Sequence, residues 1–135
     1  LQRSFLWASE GTTWGDQSVE GMKELTADVA KYKPDQQPDV YFVFGYVQAL
    51  AVHALLEKAV ENNDLSREGI TRAIEEVEVD YKGLLGEYKY GKPADRDPSR
   101  STTIFSVDPA VPGALKKVTE VSSDAAKAVE FKAAS

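Results

Sequence analysis

The stretch DVYFVFGYVQALAVHALLEKA, residues 39–59, decides how the rest of the chain is read. Asp39 suits a helix N-cap, and Val40 to Val60 is the most apolar run in the sequence, broken only by Gly45, Gln48, His53, Glu57 and Lys58. Its first half is apolar on every face. A helix of that kind either spans a membrane or is buried on several sides. Gln48 and His53 fall near its middle, and its flanks carry Asp39 and Glu57 rather than a basic cluster, so the buried central helix is the expectation. Such a helix needs cover, and the flanking sequence is read for what supplies it.

On the N-terminal side, residues 34–38 form a polar turn with a proline at each end. Before it, Val19, Met22, Leu25, Val29 and Tyr32 recur at helical spacing and predict an amphipathic helix, with Asp16 as its N-cap and Lys31 and Lys33 complementing the dipole at its end. Ser4 to Ala8 is a short aromatic-rich run that reads as a strand. On the C-terminal side, Asn62, Asn63 and Asp64 end the long helix. Ser66 caps a shorter one whose buried stripe is Ile70, Ala73, Ile74 and Val77. Leu84 to Tyr90 reads as short strands or a hairpin-like excursion, and Gly91 to Arg100 as a charged loop. Thr102 to Val107 is β-branched and aromatic, a strand. Lys116 to Val121 suits a strand or a helix turn, and Asp124 to Ala134 a short terminal helix. The sum is an α/β chain, helix-rich with few strands. Helices exceed the strands available to cover them, which predicts a portion of a larger α/β protein.

At 135 residues, with 42% hydrophobic and 28% charged residues, the chain has the length and composition of one globular domain. A net charge of −6 argues against nucleic-acid partners and anionic membrane surfaces. Most of that charge lies between Glu57 and Asp80, the pattern of solvated helix faces. Without cysteine the chain has no thiol chemistry, disulfide or Cys-based metal site of its own, and one histidine, His53, makes no multi-His site. No Gly-x-Ser-x-Gly occurs, and Gly91-Lys92 is followed by Pro93 rather than Ser or Thr, so no phosphate loop is formed. Asp95-Arg96-Asp97 lacks the glycine and terminal glutamate of a calcium loop. The reading is of a chain that is not an enzyme, with no cofactor and no metal. Most aromatics belong to the core. Tyr41 and Trp14 differ, since each sits at a loop-to-helix junction where a side chain can face a cleft.

Four segments, in order, carry a family resemblance. Residues 39–59 are similar to the "GY.A…LA.AL.KA" helix of type I periplasmic solute-binding proteins. Asp64 to Ile74 resembles their "(T/S)RE.L..AL" helix, and Tyr81 to Gly86 their "(F/Y).GL.G" segment. Trp14-Gly15-Asp16 with Gly21-Met22 resembles their "PW.D…PGM" loop and helix start. The resembling branch includes leucine/isoleucine/valine-binding proteins of ABC importers, and the resemblance covers the C-terminal part of that fold.

The resemblance implies two α/β lobes joined by crossing strands. Residues 1–9 would be the end of the second lobe and hinge, 10–103 the C-terminal portion of the first lobe, and 104–135 a hinge strand and the tail of the second. Ser9, Glu10, Thr103 and Ile104 would be hinge residues. Tyr41 would be an aromatic ligand contact and Trp14 a second, with Thr13 standing where the family has proline. It further implies capture of a branched-chain or other hydrophobic amino acid or amide for uptake, delivery to a membrane permease, and a periplasmic or extracellular location with a lipid anchor on a missing N-terminus. Separately from the resemblance, the all-round apolar helix and the few strands predict that the isolated chain pairs with another copy, exchanges elements with it, or survives only as a piece of a nicked longer chain. A ligand-sensing domain of a receptor or regulator, or a stand-alone α/β interaction domain, are the alternatives.

Overall fold

The computed structural model describes residues 5–130. Ser4 of the first expected strand and the last residues of the expected terminal helix lie outside the described residues. Strand β1, Leu6–Ser9, is followed by helices α1, Glu20–Tyr32, α2, Val40–Glu61, and α3, Arg67–Ala73. A long connection containing a helical turn at Pro93–Asp95 then leads to β2, Thr102–Val107. A second turn, Pro112–Ala114, joins it to β3, Leu115–Val121, and α4 spans Asp124–Ala128.

The three strands make one antiparallel sheet in the order β1-β2-β3. Ser9 pairs with Thr103 and Ala8 with Ile104, so the point where the chain leaves the sheet lies beside the point where it returns. Trp7 and Phe105 pair in the same register, with ring centroids 5.9 Å apart.

Everything between these points builds a helical unit with its own core: Met22, Leu25, Val29, Val43, Val47, Tyr81 and Leu84. Asp39 caps α2 as expected, accepting the Phe42 N–H at 3.1 Å. Asn63 ends α2 in the left-handed region at φ 53°, with its N–H on the Val60 carbonyl and the Asp64 N–H on that of Ala59. This is the closure that asparagine tolerates better than most residues. Ser66 caps α3 through the Gly69 N–H at 3.0 Å. The helical unit is tied to the crossing segment by the Thr12 N–H on the Leu84 carbonyl, 3.0 Å, and the Gly86 N–H on that of Glu10, 3.3 Å.

Four expectations are corrected. Asp16 does not cap α1. Its Oδ1 accepts the Ser18 N–H at 3.0 Å and hydroxyl at 2.6 Å, a local turn that competes with capping, and α1 begins later, after an extended Val19. Tyr32 is not in the buried stripe but exposed at the last turn. Leu84 to Tyr90 forms no strand; Leu85 and Lys89 each make one isolated bridge, to Gly11 and Asp97. Finally, α2 is not buried on several sides: only Val43, Val47 and Ala59 are fully covered. By length and composition alone α2 is also long and apolar enough to cross a membrane.

Candidate functional site

The sheet and the helical unit meet at the crossing segment, and the expected hinge residues lie there. Ser9 and Thr103 are buried and paired, Ile104 is half-buried opposite Ala8, and Glu10 is exposed just beyond the strand. The Thr102 hydroxyl donates to the Ser9 carbonyl at 3.0 Å, which locks the two crossings together. The Ser9 hydroxyl is buried and has no hydrogen-bond partner among the described residues.

A cavity of about 770 Å³ opens against this crossing, lined by Glu10, Leu85, Thr103, Phe105, Lys117 and Glu120 among others. Its charged rim is largely self-paired. Lys117 reaches Glu120 at 3.2 Å and Arg100 reaches Asp97 at 2.6 Å. The Ser101 hydroxyl, and after it Lys117, hold the Glu120 carboxyl below its usual range. In the core of the helical unit, burial and then the Tyr90 hydroxyl at 2.6 Å push the Tyr81 phenol up, so it stays protonated and can donate a hydrogen bond.

A second cavity, about 340 Å³, lies between the loop at residues 13–18 and the β2–β3 turn, with Trp14, Val111, Pro112, Leu115, Lys116 and Lys117 in its wall. Trp14 is half-buried there. It meets Phe42 edge-on with ring centroids 6.1 Å apart, and the next N–H, from Gly15, points at the Met22 sulfur at 3.3 Å. Tyr41 is elsewhere. The Asp39 cap sets it in the first turn of α2, 75% exposed, against Phe44 at 6.3 Å. It lines neither cavity, so the structure does not gather Tyr41 and Trp14 into one pocket. His53 sits on the exposed side of α2, 3.3 Å from Glu57. Among the described residues, no three His, Asp or Glu side chains come together to hold a metal ion.

The smaller cavity was not legible from sequence. Its two walls are far apart along the chain, and its local signals are the glycine after Trp14 and the Pro112-Gly113 turn.

No protein-family model matches the chain, and no curated protein matches it. A solved structure does: the fatty acid ABC transporter substrate-binding protein from Thermomonospora curvata superimposes over 96% of this chain with a TM-score of 0.79 and 28% sequence identity. The match covers 33% of that protein, so this chain spans about one third of its length. The neighbour is a binding protein rather than an enzyme. The helices in excess of a three-stranded sheet therefore correspond to a fragment of the periplasmic-binding-protein fold.

Proposed function

We propose that this chain is part of the solute-binding component of an ABC importer, working outside the cytoplasm and handing a small solute to a membrane permease. The observation that carries the reading is the match to a substrate-binding protein at TM-score 0.79 over 96% of the chain. The adjacent crossings at Ser9 and Thr103 support it, since paired crossings between two bodies suit a hinge. In this reading residues 1–9 and 104–135 belong to one lobe and 10–103 to the other. Ser9, Glu10, Thr103 and Ile104 form the hinge, and Tyr41 and Trp14 face the solute.

The solute is a carboxylate with an apolar body. The resemblance to leucine/isoleucine/valine-binding proteins and the fatty-acid name of the matched structure share that chemistry. The test is equilibrium dialysis of the protein expressed from its complete reading frame, with leucine and octanoate as probes. Saturable binding of either, with the solute recovered unchanged and the protein exported from the cell, is expected. A cytoplasmic protein that binds neither overturns the reading.

A further inference from the structure

We propose that residues 122–130 form a strap that crosses back over the hinge and is pinned by Arg100, which makes Arg100 a positioning residue for solute capture. The inference rests on the two-lobe solute-binding reading for what the strap restrains. β1 ends at Ser9, opposite Thr103, where β2 begins. β3 runs antiparallel to β2, so its last residue, Val121, pairs with Thr102 at that same end of the sheet. The chain beyond Val121 therefore leaves the sheet on the side of the helical unit, next to the two crossings.

Arg100 meets it there. The Ser122 hydroxyl donates to the Arg100 carbonyl at 2.6 Å, just beyond the last backbone pair of β2 and β3. The Arg100 guanidinium then spreads in two directions. Nη1 donates to the carbonyl of Ala126 and, at 2.8 Å, to that of Val129. Nε and Nη2 donate to Asp97 Oδ1 at 2.8 and 2.6 Å. Asp97 is in turn bridged to Lys89 through backbone bonds of 2.9 and 3.2 Å, so this side of the clamp is fixed to the connection that follows the helices.

The chemistry explains why one residue suffices. Helix α4 has five residues, and the last carbonyls of a helix have no partner within it. A guanidinium donates from three nitrogens in one plane, so it can satisfy two such carbonyls and still hold its carboxylate. A lysine ammonium brings the charge without the fork. Residues 122–130 are exposed apart from half-buried Ala126, and a cavity of about 400 Å³ opens where Val129 and Glu130 face residues 94–97. Apolar burial therefore holds the strap weakly, and its polar ties decide whether it stays in place. A strap tied on both sides of the crossings stiffens the hinge, limits how far the lobes open and raises the share of molecules ready to take the solute.

Amide hydrogen exchange, small-angle scattering and equilibrium dialysis of the full-length protein test this, with leucine and octanoate as the probes. Arg100→Gln should speed exchange across α4 and raise the radius of gyration of the unliganded protein. It should weaken binding of whichever probe the parent takes by about fivefold or more. At saturating probe the radius should return to the parent's value, which a merely misfolded variant would not do. Arg100→Lys should behave as Arg100→Gln does. Ser122→Ala, which leaves the guanidinium in place, should move each readout the same way by less. Faster exchange in α4 with scattering and affinity unchanged would make Arg100 a simple tail anchor and overturn the proposal, as would parent behaviour in Arg100→Lys. A parent that binds neither probe counts against the solute-binding reading, and exchange and scattering of the unliganded variants then still decide the strap.

Discussion

Helix α1 carries its apolar side chains on one stripe, and the fold buries that stripe: Met22, Leu25 and Val29 are 0, 1 and 9% exposed. Helix α2 carries them all round, and the fold buries Val43, Val47 and Ala59 while Tyr41, Val52, Leu56 and Val60 stand 75, 54, 42 and 57% exposed. The first helix is finished by its neighbours. The second uses one face for the core it shares with α1 and presents another to solvent. A periodic stripe names its own contact face, whereas apolarity on every side says only that several faces call for cover. The structure this chain matches is about three times its length, which accords with the second case.

The comparison breaks most readily in the core. Leu25→Ala, at a position 1% exposed, should lower unfolding stability by about 2–5 kcal/mol, and Leu56→Ala, at 42% exposed, by clearly less. Denaturant melts of the two variants read the difference, and equal losses would mean that α2 is covered on both faces. Next in size, Tyr41→Ala should weaken solute binding by about 1–3 kcal/mol in calorimetric titration, while costing less stability than Leu25→Ala. Unchanged affinity would remove Tyr41 from the solute site. Third, Asp39→Ala removes the side-chain cap of α2 and should cost about 1 kcal/mol in a thermal melt; α1, whose cap residue Val19 makes no side-chain bond, has no equivalent to lose.

The smallest effect is on acid stability. Asp64, held by the Ser66 hydroxyl and N–H and by Arg72, titrates below its ordinary 3.8, and Glu120 below its ordinary 4.5. A carboxyl whose folded pKa is depressed gives stability that is complete above its unfolded pKa and is lost as pH falls through the folded one. Melts of Glu120→Gln should therefore show a shallower decline than the parent below pH 4.5, with the two converging in strong acid. Parallel curves would show that Glu120 carries none of the acid sensitivity.

What the sequence revealed follows the range of the forces involved. The strand at Thr102 to Val107, the cap at Asp39 and the cap at Ser66 depend on local pattern, and the sequence marks each to the residue. Asp16 departs from the expected cap because Asp-x-Ser offers two local bonding patterns and the turn wins. Leu84 to Tyr90 alternates like a strand, yet a strand needs a partner of matching length and these residues find single bridges. The cavity beside Trp14 depends on Val111 to Lys117 meeting residues 13–18 from far along the chain, which no spacing rule encodes.

The central claim is that α2 is a core helix with one face bare. Analytical sedimentation of the 135-residue chain tests it most directly, run across a concentration series with the parent and a Val52→Lys/Leu56→Glu double variant. An exposed apolar face of this extent favours association. The account predicts that the parent chain self-associates with rising concentration and that the double variant sediments as a folded monomer. A parent chain that stays monomeric at every concentration would contradict it.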